Sequence, residues 1–294
     1  MARISRRDFL KTSAAAGALS TFGTLPLYAA KASATDLVTL GKSGLKVTRL
    51  AFGTGTNNGE VQQQLGQEGF TRLVRYAYER GIRFFETAEG YGRSQQMLGE
   101  ALKGLPRDSY QLMTKVTTAD GIDPAKKLDQ LRRNSNTDYF DIMLLHFQHT
   151  ATWPTDTLRW QDAIVDAQAK GVIRKRGVSV HGLPALRRVP GHKWLEIAMI
   201  RVNHNGAVMD SETDEWGVPG NVPEVVTHIH EVQSAGMGVI SMKLVGAGAF
   251  TNRADRQAAM RFAFKNAGVD CVTVGYKNTA EIDEAIDNLN LALA

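Results

Sequence analysis

From residue 50 onward, short apolar runs alternate with helical patterns without a break, and this alternation is the tightest constraint on what the chain can form. The run TRLAFG ends at Gly53, and FTRLVRYAYERG then places Phe70, Leu73, Val74 and Ala77 at helical spacing before stopping on Gly81. IRFFETA reads as the next strand, followed by a helix near 94–103, a strand over 110–116, a helix over 124–134, a strand over 139–146 and a helix over 155–169. Strands over 176–180, 197–202, 238–243 and 271–275 follow, each with a helical pattern after it, for eight strands and eight helices. Such an order builds parallel strands joined by right-handed helical crossovers, and eight repeats in about 250 residues favour closure into a (β/α)8 TIM barrel. The alternative, an open doubly wound sheet, would show a glycine fingerprint; Gly53-Thr54-Gly55 follows the first strand, but the full G-x-G-x-x-G does not. Ahead of the barrel, VTLGKSGLKV over 38–47 predicts an N-terminal β-hairpin turning through Gly41 to Gly44. No low-complexity linker interrupts the chain after residue 35, so 35–294 reads as one domain.

The net charge of +5 invites a nucleic-acid reading only if it belongs to that domain. It does not, because residues 1–34 carry Arg3, Arg6, Arg7, Lys11 and Lys31 against Asp8 alone, a local +4 that leaves +1 for the rest. Within that segment SRRDFLK, with paired Arg6-Arg7 followed by Phe9-Leu10 and Lys11, resembles the bacterial twin-arginine export signal. A mildly apolar run over 13–30 and the A-x-A pattern Ala32-Ser33-Ala34 complete the order of a signal peptide. The expectation is therefore a leader over 1–34, cut after Ala34, that engages the twin-arginine machinery and delivers a folded domain to the periplasm or another exported location. No other stretch reaches the roughly 18 to 20 apolar residues of a spanning helix, so no stable membrane anchor is expected after cleavage. A single cysteine, Cys271, excludes an intrachain disulfide framework, a multi-cysteine zinc site and a cysteine-ligated iron–sulfur cluster.

Barrel chemistry sits at the C-terminal ends of the strands. There the sequence places Glu86, Lys115, His146 and Ser179, separated by 29, 31 and 33 residues, about one βα unit each, so their side chains should stand at similar height on neighbouring strands. Tyr91 follows Glu86 in the loop EGYG, within reach of the barrel mouth. A tyrosine beside an ammonium has chemical meaning, since a nearby cation stabilises phenolate and is expected to lower the phenol pKa from about 10 toward working pH. Tyr91 would deliver a proton, Glu86 would hold Lys115, and His146 would orient a substrate oxygen or assist proton transfer. A carbonyl held there would suit reduction by an external hydride.

The hairpin, FFETAEGYG, MTKV, LLHFQ, VIRKRGVSVHG, GVISMKL and TVGYKNTAEI, in that order from about residue 38 to 289, resemble successive motifs of the aldo-keto reductases. The resemblance implies a barrel that binds a nicotinamide cofactor without a Rossmann domain, a small-molecule carbonyl or alcohol substrate, and an Asp, Tyr, Lys and His tetrad falling on Glu86, Tyr91, Lys115 and His146. It also implies cofactor contacts at Ser179, Arg201, Lys243, Gly275, Lys277 and Asn278. The chain departs from the family pattern at several of these places. Glu86 stands where Asp is usual, Val180 follows Ser179 where Asn is common, and Arg201 replaces Gln. At the adenine end Lys277-Asn278 match, while Glu281 and Ala285 replace the usual Arg or Gln and the Asn. The helix N-terminus after Gly275 and the loop 243–248 remain pyrophosphate partners through backbone N–H groups. NADP(H) is the family's cofactor and the favoured one here. Glu281 would repel a 2′-phosphate yet accept from a free 2′-hydroxyl, which makes NAD(H) the alternative.

Other readings stay open at this stage. Glu86 and Lys115 can form a purely structural ion pair. The departures at the cofactor contacts, together with the lack of an obvious periplasmic supply of reduced soluble nicotinamide, suit a reductase-like barrel that binds a ligand or partner without turnover. His146, His181 and His204 follow successive strands and could hold a metal in a hydrolase, although no carboxylate accompanies them at ligand spacing, and no metal is expected. Arg174-Lys175-Arg176 lies at the N-terminal entry to a strand and reads as a solvated face, and His228 and His230 diverge on a helix. Cys271 reads as core packing and Trp216 as a substrate-facing aromatic or a loop-packing one. The chain stops soon after the last helix, without a long C-terminal loop, which suggests an open site.

Overall fold

The computed structural model describes residues 31–213, 215 and 217–294; the twin-arginine motif and Trp216 lie outside the described residues. One compact unit spans Ala32–Ala294. Strands β1 (Leu37–Thr39) and β2 (Lys46–Thr48) form the antiparallel hairpin, with Val38 opposite Val47. The barrel then runs β3 (Leu50–Gly53), α1 (Gly66–Glu79), β4 (Phe84–Glu86), α2 (Ser94–Leu102), β5 (Gln111–Thr117), α3 (Pro124–Asn134), β6 (Phe140–Gln148) and α4 (Leu158–Ala169). It continues with β7 (Ile173–Val180), α5 (Leu183–Leu186), β8 (Ile197–Arg201), α6 (Val222–Ser234), β9 (Gly238–Met242), α7 (Arg253–Lys265), β10 (Cys271–Gly275) and α8 (Thr279–Leu293). The eight strands β3 to β10 close in parallel, β10 pairing with β3.

Local chemistry explains the boundaries. Gly81, at φ +94°, follows α1 in a backbone region that favours glycine. Asp123, Asn221, Asn252 and Asn278 each accept a backbone N–H at the start of α3, α6, α7 and α8, which satisfies a donor the helix cannot. Two elements differ from the sequence expectation. The fifth helix is a single turn, because Pro190 and Gly191 follow it closely and a helix cannot run through them. Strand β6 extends two residues past His146, with a register shift between Leu145 and Gln148 against β7. That bulge leaves Phe147 at φ +54°, an unusual conformation for a bulky residue.

Side-chain alternation sorts the strands into an inner and an outer face. Ala51, Phe84, Met113, Ile142, Leu144, Ile197, Met199 and Ile240 fill the barrel interior, while Phe85, Leu112, Met143, Leu145 and Val178 pack outward beneath the helices. Leu40 and Val47 of the hairpin join the inner cluster and stop the N-terminal end of the barrel. Gly238 makes that approach possible, since a Cβ there would lie 2.6 Å from Leu40 Cβ. One further step of two residues along each strand carries the inner face from this apolar plug to Glu86, Lys115, His146, Ser179, Arg201 and Thr273. The open end of the barrel is thus a polar layer standing on a dry core.

Candidate active site

At the centre of that layer Lys115, fully buried, extends its ammonium to three acceptors. It donates to Glu86 Oε1, to the Thr87 carbonyl at 3.0 Å and to Tyr91 Oη at 3.1 Å. The second Glu86 oxygen accepts from Thr273 Oγ1 at 3.2 Å. His146 stands edge-on to Tyr91, with ring centroids 5.5 Å apart at 85°. The four residues expected to act together therefore converge. The longer acid at position 86 is accommodated by the absence of a side chain opposite it, since a Cβ on Gly53 would lie 3.0 Å from Glu86 Oε2 and 2.6 Å from Thr273 Oγ1. Gly55 does the same for the phenol: a Cβ there would lie 2.5 to 2.7 Å from Tyr91 Cζ, Cε2 and Oη. A rigid ring has to move as a whole, so Gly55→Ala is expected to displace the hydroxyl and lower kcat by roughly tenfold or more. Fold should stay intact, so near-wild-type turnover in a Gly55→Ala protein of normal stability would separate Tyr91 from the rate.

Electrostatics corrects one expectation. Burial raises the Tyr91 phenol above its ordinary pKa, and the Lys115 cation, which pulls the other way, recovers only part of the shift while Glu86 adds to it. The hydroxyl thus holds its proton at neutral pH. Burial also opposes the Lys115 charge, but Glu86 and Tyr91 outweigh it and keep the ammonium pKa above its usual value. Burial first, and then the charges of Lys115 and Lys243, push His146 down to about 3, so its imidazole is neutral at any working pH. His181 is depressed well below its ordinary value, by burial and then by Arg201.

Linkage gives this a stability consequence. Because the folded pKa of His146 lies below the unfolded value of about 6.5, the unfolded chain binds the extra proton between them, and stability is lost as pH falls from about 6.5 toward 3. His146→Gln is expected to lose melting temperature less steeply between pH 7 and pH 4 than the parent. A His146 ring that titrates near 6.5 by NMR would contradict this.

The rest of the polar layer supports the centre. Arg201 Nε donates to Asp210 Oδ1 at 2.8 Å, and the same oxygen accepts from the Gly182 backbone N–H at 2.7 Å, which ties the end of β8 to the turn after β7. Burial raises the Asp210 pKa, against the pull of Arg201 and Gly182. Arg201 Nη2 is buried with no partner within the described protein. Ser179 is buried below, its Oγ 3.9 Å from Met242 Sδ, while Val180 packs in the outer cluster and does not face the mouth. Lys243, in the left-handed region at φ +58°, lines the cavity beside Tyr91 and Glu86; burial and then Arg201 lower its pKa. Phe147 is 45% exposed and lies against His181 with centroids 4.4 Å apart. Asp210 and Phe147 are among the residues here that the sequence patterns do not single out, as is Thr273, which donates to Glu86.

Two adjoining cavities run from this centre. A small one, about 60 Å³, holds Tyr91, Glu86 and Lys243 at its wall; a larger one, about 430 Å³, is lined by Arg256, Tyr276, Lys277, Glu281 and Glu284. They share Thr56, Val245, Ala247, Val274 and Gly275, so the two lie against a common wall. Glu281 accepts from the Lys277 N–H at 2.7 Å while Asn278 Oδ1 accepts from Glu281 N–H at 3.0 Å, a reciprocal cap at the start of α8. Asn278 therefore serves the helix and is absent from the cavity lining, unlike Gly275 and Lys277. Arg256 and Glu284 form a two-bond ion pair at 2.6 and 2.9 Å.

The remaining sequence features resolve into structural roles. Among the described residues no three His, Cys, Asp or Glu side chains are placed to hold a metal ion, and His204 instead packs on Phe250 at 5.2 Å. Arg174 pairs with Asp141, and Lys175 and Arg176 with Glu196, at the entry to β7. His228 pairs with Glu231, His230 meets the Asn266 carbonyl, and Cys271 is buried. Among the described residues no helix is long and apolar enough to cross a membrane.

Comparison with known proteins agrees with this geometry. The model of the aldo/keto reductase family matches residues 49–260, and that of the twin-arginine translocation signal sequence matches residues 3–23. "Probable aldo-keto reductase 1" of Glycine max is 27% identical over 231 residues, which cover 72% of this chain but only 60% of that relative. An aldo-keto reductase of Bacillus halodurans in its holo form superposes with a TM-score of 0.68 at 18% identity, over 88% of this chain and 95% of its own. One from Klebsiella pneumoniae, in complex with NADPH, gives 0.64 at 17% identity over 88% and 90%. The twin-arginine signal marks the protein for export, and with a family match over most of the barrel and a closed eight-stranded sheet, the chain belongs to the aldo/keto reductase family.

Proposed function

We propose that the protein is an exported oxidoreductase that transfers hydride between a nicotinamide dinucleotide and a carbonyl or alcohol substrate, with Tyr91 carrying the proton. The observation that supports this most is the Tyr91 hydroxyl, 3.1 Å from a Lys115 ammonium that Glu86 fixes, in the wall of a cavity that adjoins a second, larger one. On this reading the two cavities would take the two ends of a dinucleotide. Tyr276, which lines the larger cavity, has a buried Oη without a partner in the described protein, which a polar ligand would satisfy. Gly275, Lys277 and the loop that starts at Lys243 border the same cavities.

A reduced nicotinamide, if held along Gly275, Lys277 and the loop from Lys243, would supply hydride chemistry to a carbonyl carbon. The chain's part is to hold the carbonyl oxygen and protonate it. His146, neutral at working pH, can point a ring N–H at that oxygen, and Tyr91 gives up its proton as negative charge develops. Lys115 then stabilises the phenolate that remains, and Glu86 keeps the ammonium in place. The exposed Phe147 beside His181 offers an aromatic wall to the substrate.

For the cofactor, NADP(H) is the first reading, supported by Lys277 and Arg256 in the larger cavity and by the NADPH in the Klebsiella pneumoniae relative. The second reading, NAD(H), rests on Glu281 and Glu284, whose two carboxylates balance those two cations. Titration of the protein freed of its leader with NADPH and NADH tests both, and only if neither bound below about 1 mM would the reductase reading be sunk. Glu281→Gln keeps an acceptor for the Lys277 N–H but removes a negative charge. It is expected to tighten NADPH roughly three- to tenfold and leave NADH nearly unchanged.

A further inference from the structure

The stretch Ala30-Lys31-Ala32-Ser33-Ala34 contains two overlapping A-x-A patterns, one ending at Ala32 and one at Ala34. The sequence expectation takes the second, but the fold favours the first. The twin-arginine route moves chains that have already folded, so the signal peptidase meets this precursor with its barrel built. In that barrel Ala34 is fully buried. Its N–H donates to Asn290 Oδ1 of α8 at 2.8 Å, and its carbonyl accepts from Leu50 N–H, the first residue of β3, at 3.0 Å. The Asp36 N–H returns to the Ser33 carbonyl at 3.2 Å, and Thr35 packs where Gly81 carries no side chain, a Cβ there falling 3.2 Å from Thr35 Cβ. The bond after Ala34 is therefore held in a turn that fastens the first barrel strand to the last helix. A peptidase that reads extended chain has no hold on it without unpicking the barrel seam. Ala32, by contrast, is exposed.

We propose that the leader is cut between Ala32 and Ser33, with Ala30-Lys31-Ala32 as the recognised pattern, and that the mature protein begins at Ser33. Water adds across that peptide bond, leaving a carboxylate on Ala32 and an α-ammonium on Ser33. The Ser33 nitrogen already lies 2.7 Å from Asp36 Oδ2, so the new cation is received by a carboxylate that Arg49 also contacts at 3.1 Å. A cut after Ala34 would discard the residue that links the start of β3 to α8.

The test is expression of the full precursor in a bacterium with an active twin-arginine system, followed by intact mass and N-terminal sequencing of the exported protein. A first residue of Ser33 is expected; Thr35, or any residue upstream of Ser33, overturns the assignment. Ala30→Glu spoils only the upstream pattern, so it should leave uncleaved precursor, whereas continued processing to Thr35 would also overturn it. Purified proteins that start at Ser33 and at Thr35 give a third readout. The shorter one should melt several degrees lower for loss of Ala34 and its two hydrogen bonds, and equal midpoints would remove the reason for sparing Ala34. None of these readouts depends on whether the barrel reduces carbonyls.

Discussion

Replacing Tyr91 by Phe is expected to lower kcat for carbonyl reduction by about 10² to 10⁴, the contribution typical of a positioned acid, while cofactor affinity stays close to that of the parent. The substitution removes one oxygen and little else. Lys115 keeps Glu86 and the Thr87 carbonyl as acceptors, and the ring keeps its packing against Gly55 and His146, so stability should change by no more than about 1 kcal/mol. Single-turnover measurement with prebound NADPH isolates the step. An unchanged rate would show that Tyr91 is not the acid. If neither the parent nor the variant reduces any of a panel of aldehydes and ketones but both bind dinucleotide, the protein is a binding barrel that keeps the family's architecture. The pH profile adds a second check, because the depressed pKa of His146 keeps that imidazole from shaping kcat near neutrality.

Much of this centre is legible in the sequence because a barrel converts spacing into geometry. Glu86, Lys115 and His146 are about one βα unit apart, and a closed parallel sheet places such positions side by side. The period of two that carries Phe84 inward carries Glu86 inward too, just as Met113 does for Lys115 and Ile197 and Met199 for Arg201. What stays hidden depends on parts without a period. Asp210 comes from the irregular segment between β8 and α6, and only the folded loop brings it to Arg201. A buried guanidinium demands a carboxylate, yet nothing in the order of residues says which one. Phe147 is turned to the mouth by the bulge in β6, where alternation fails and simple counting would face it to the helices. The direction of the Tyr91 pKa is hidden for another reason. The sequence shows the cation beside the phenol but not how completely both are withdrawn from water, and desolvation is the larger effect. The same blindness applies at Ala34, a small residue that suits a cleavage pattern and a buried seam equally well until its neighbours are known.

Lys115→Met is expected to produce the largest loss of stability of any change at this site. Both members of the pair are sequestered, Lys115 at 0% and Glu86 at 2% exposure, so removal of the ammonium leaves Glu86 with Thr273 Oγ1 as its remaining side-chain donor. Breaking a buried pair from one side costs about 3–5 kcal/mol, and at roughly 2–4 °C per kcal/mol for a domain of this size the melting midpoint should fall by about 10 °C. Activity should fall with it, since Tyr91 loses the cation that stabilises its conjugate base. These two effects are separable. Adding Glu86→Gln to Lys115→Met replaces the stranded carboxylate by a neutral group of similar shape, and because uncharged buried pairs are often as stable as ionic ones, most of the lost stability should return. Turnover should not return, because the phenol would still lack the hydrogen-bonded ammonium that stabilises its conjugate base. A double variant that regained both stability and turnover would mean that the ion pair only closes the barrel mouth and that the proton is delivered without it.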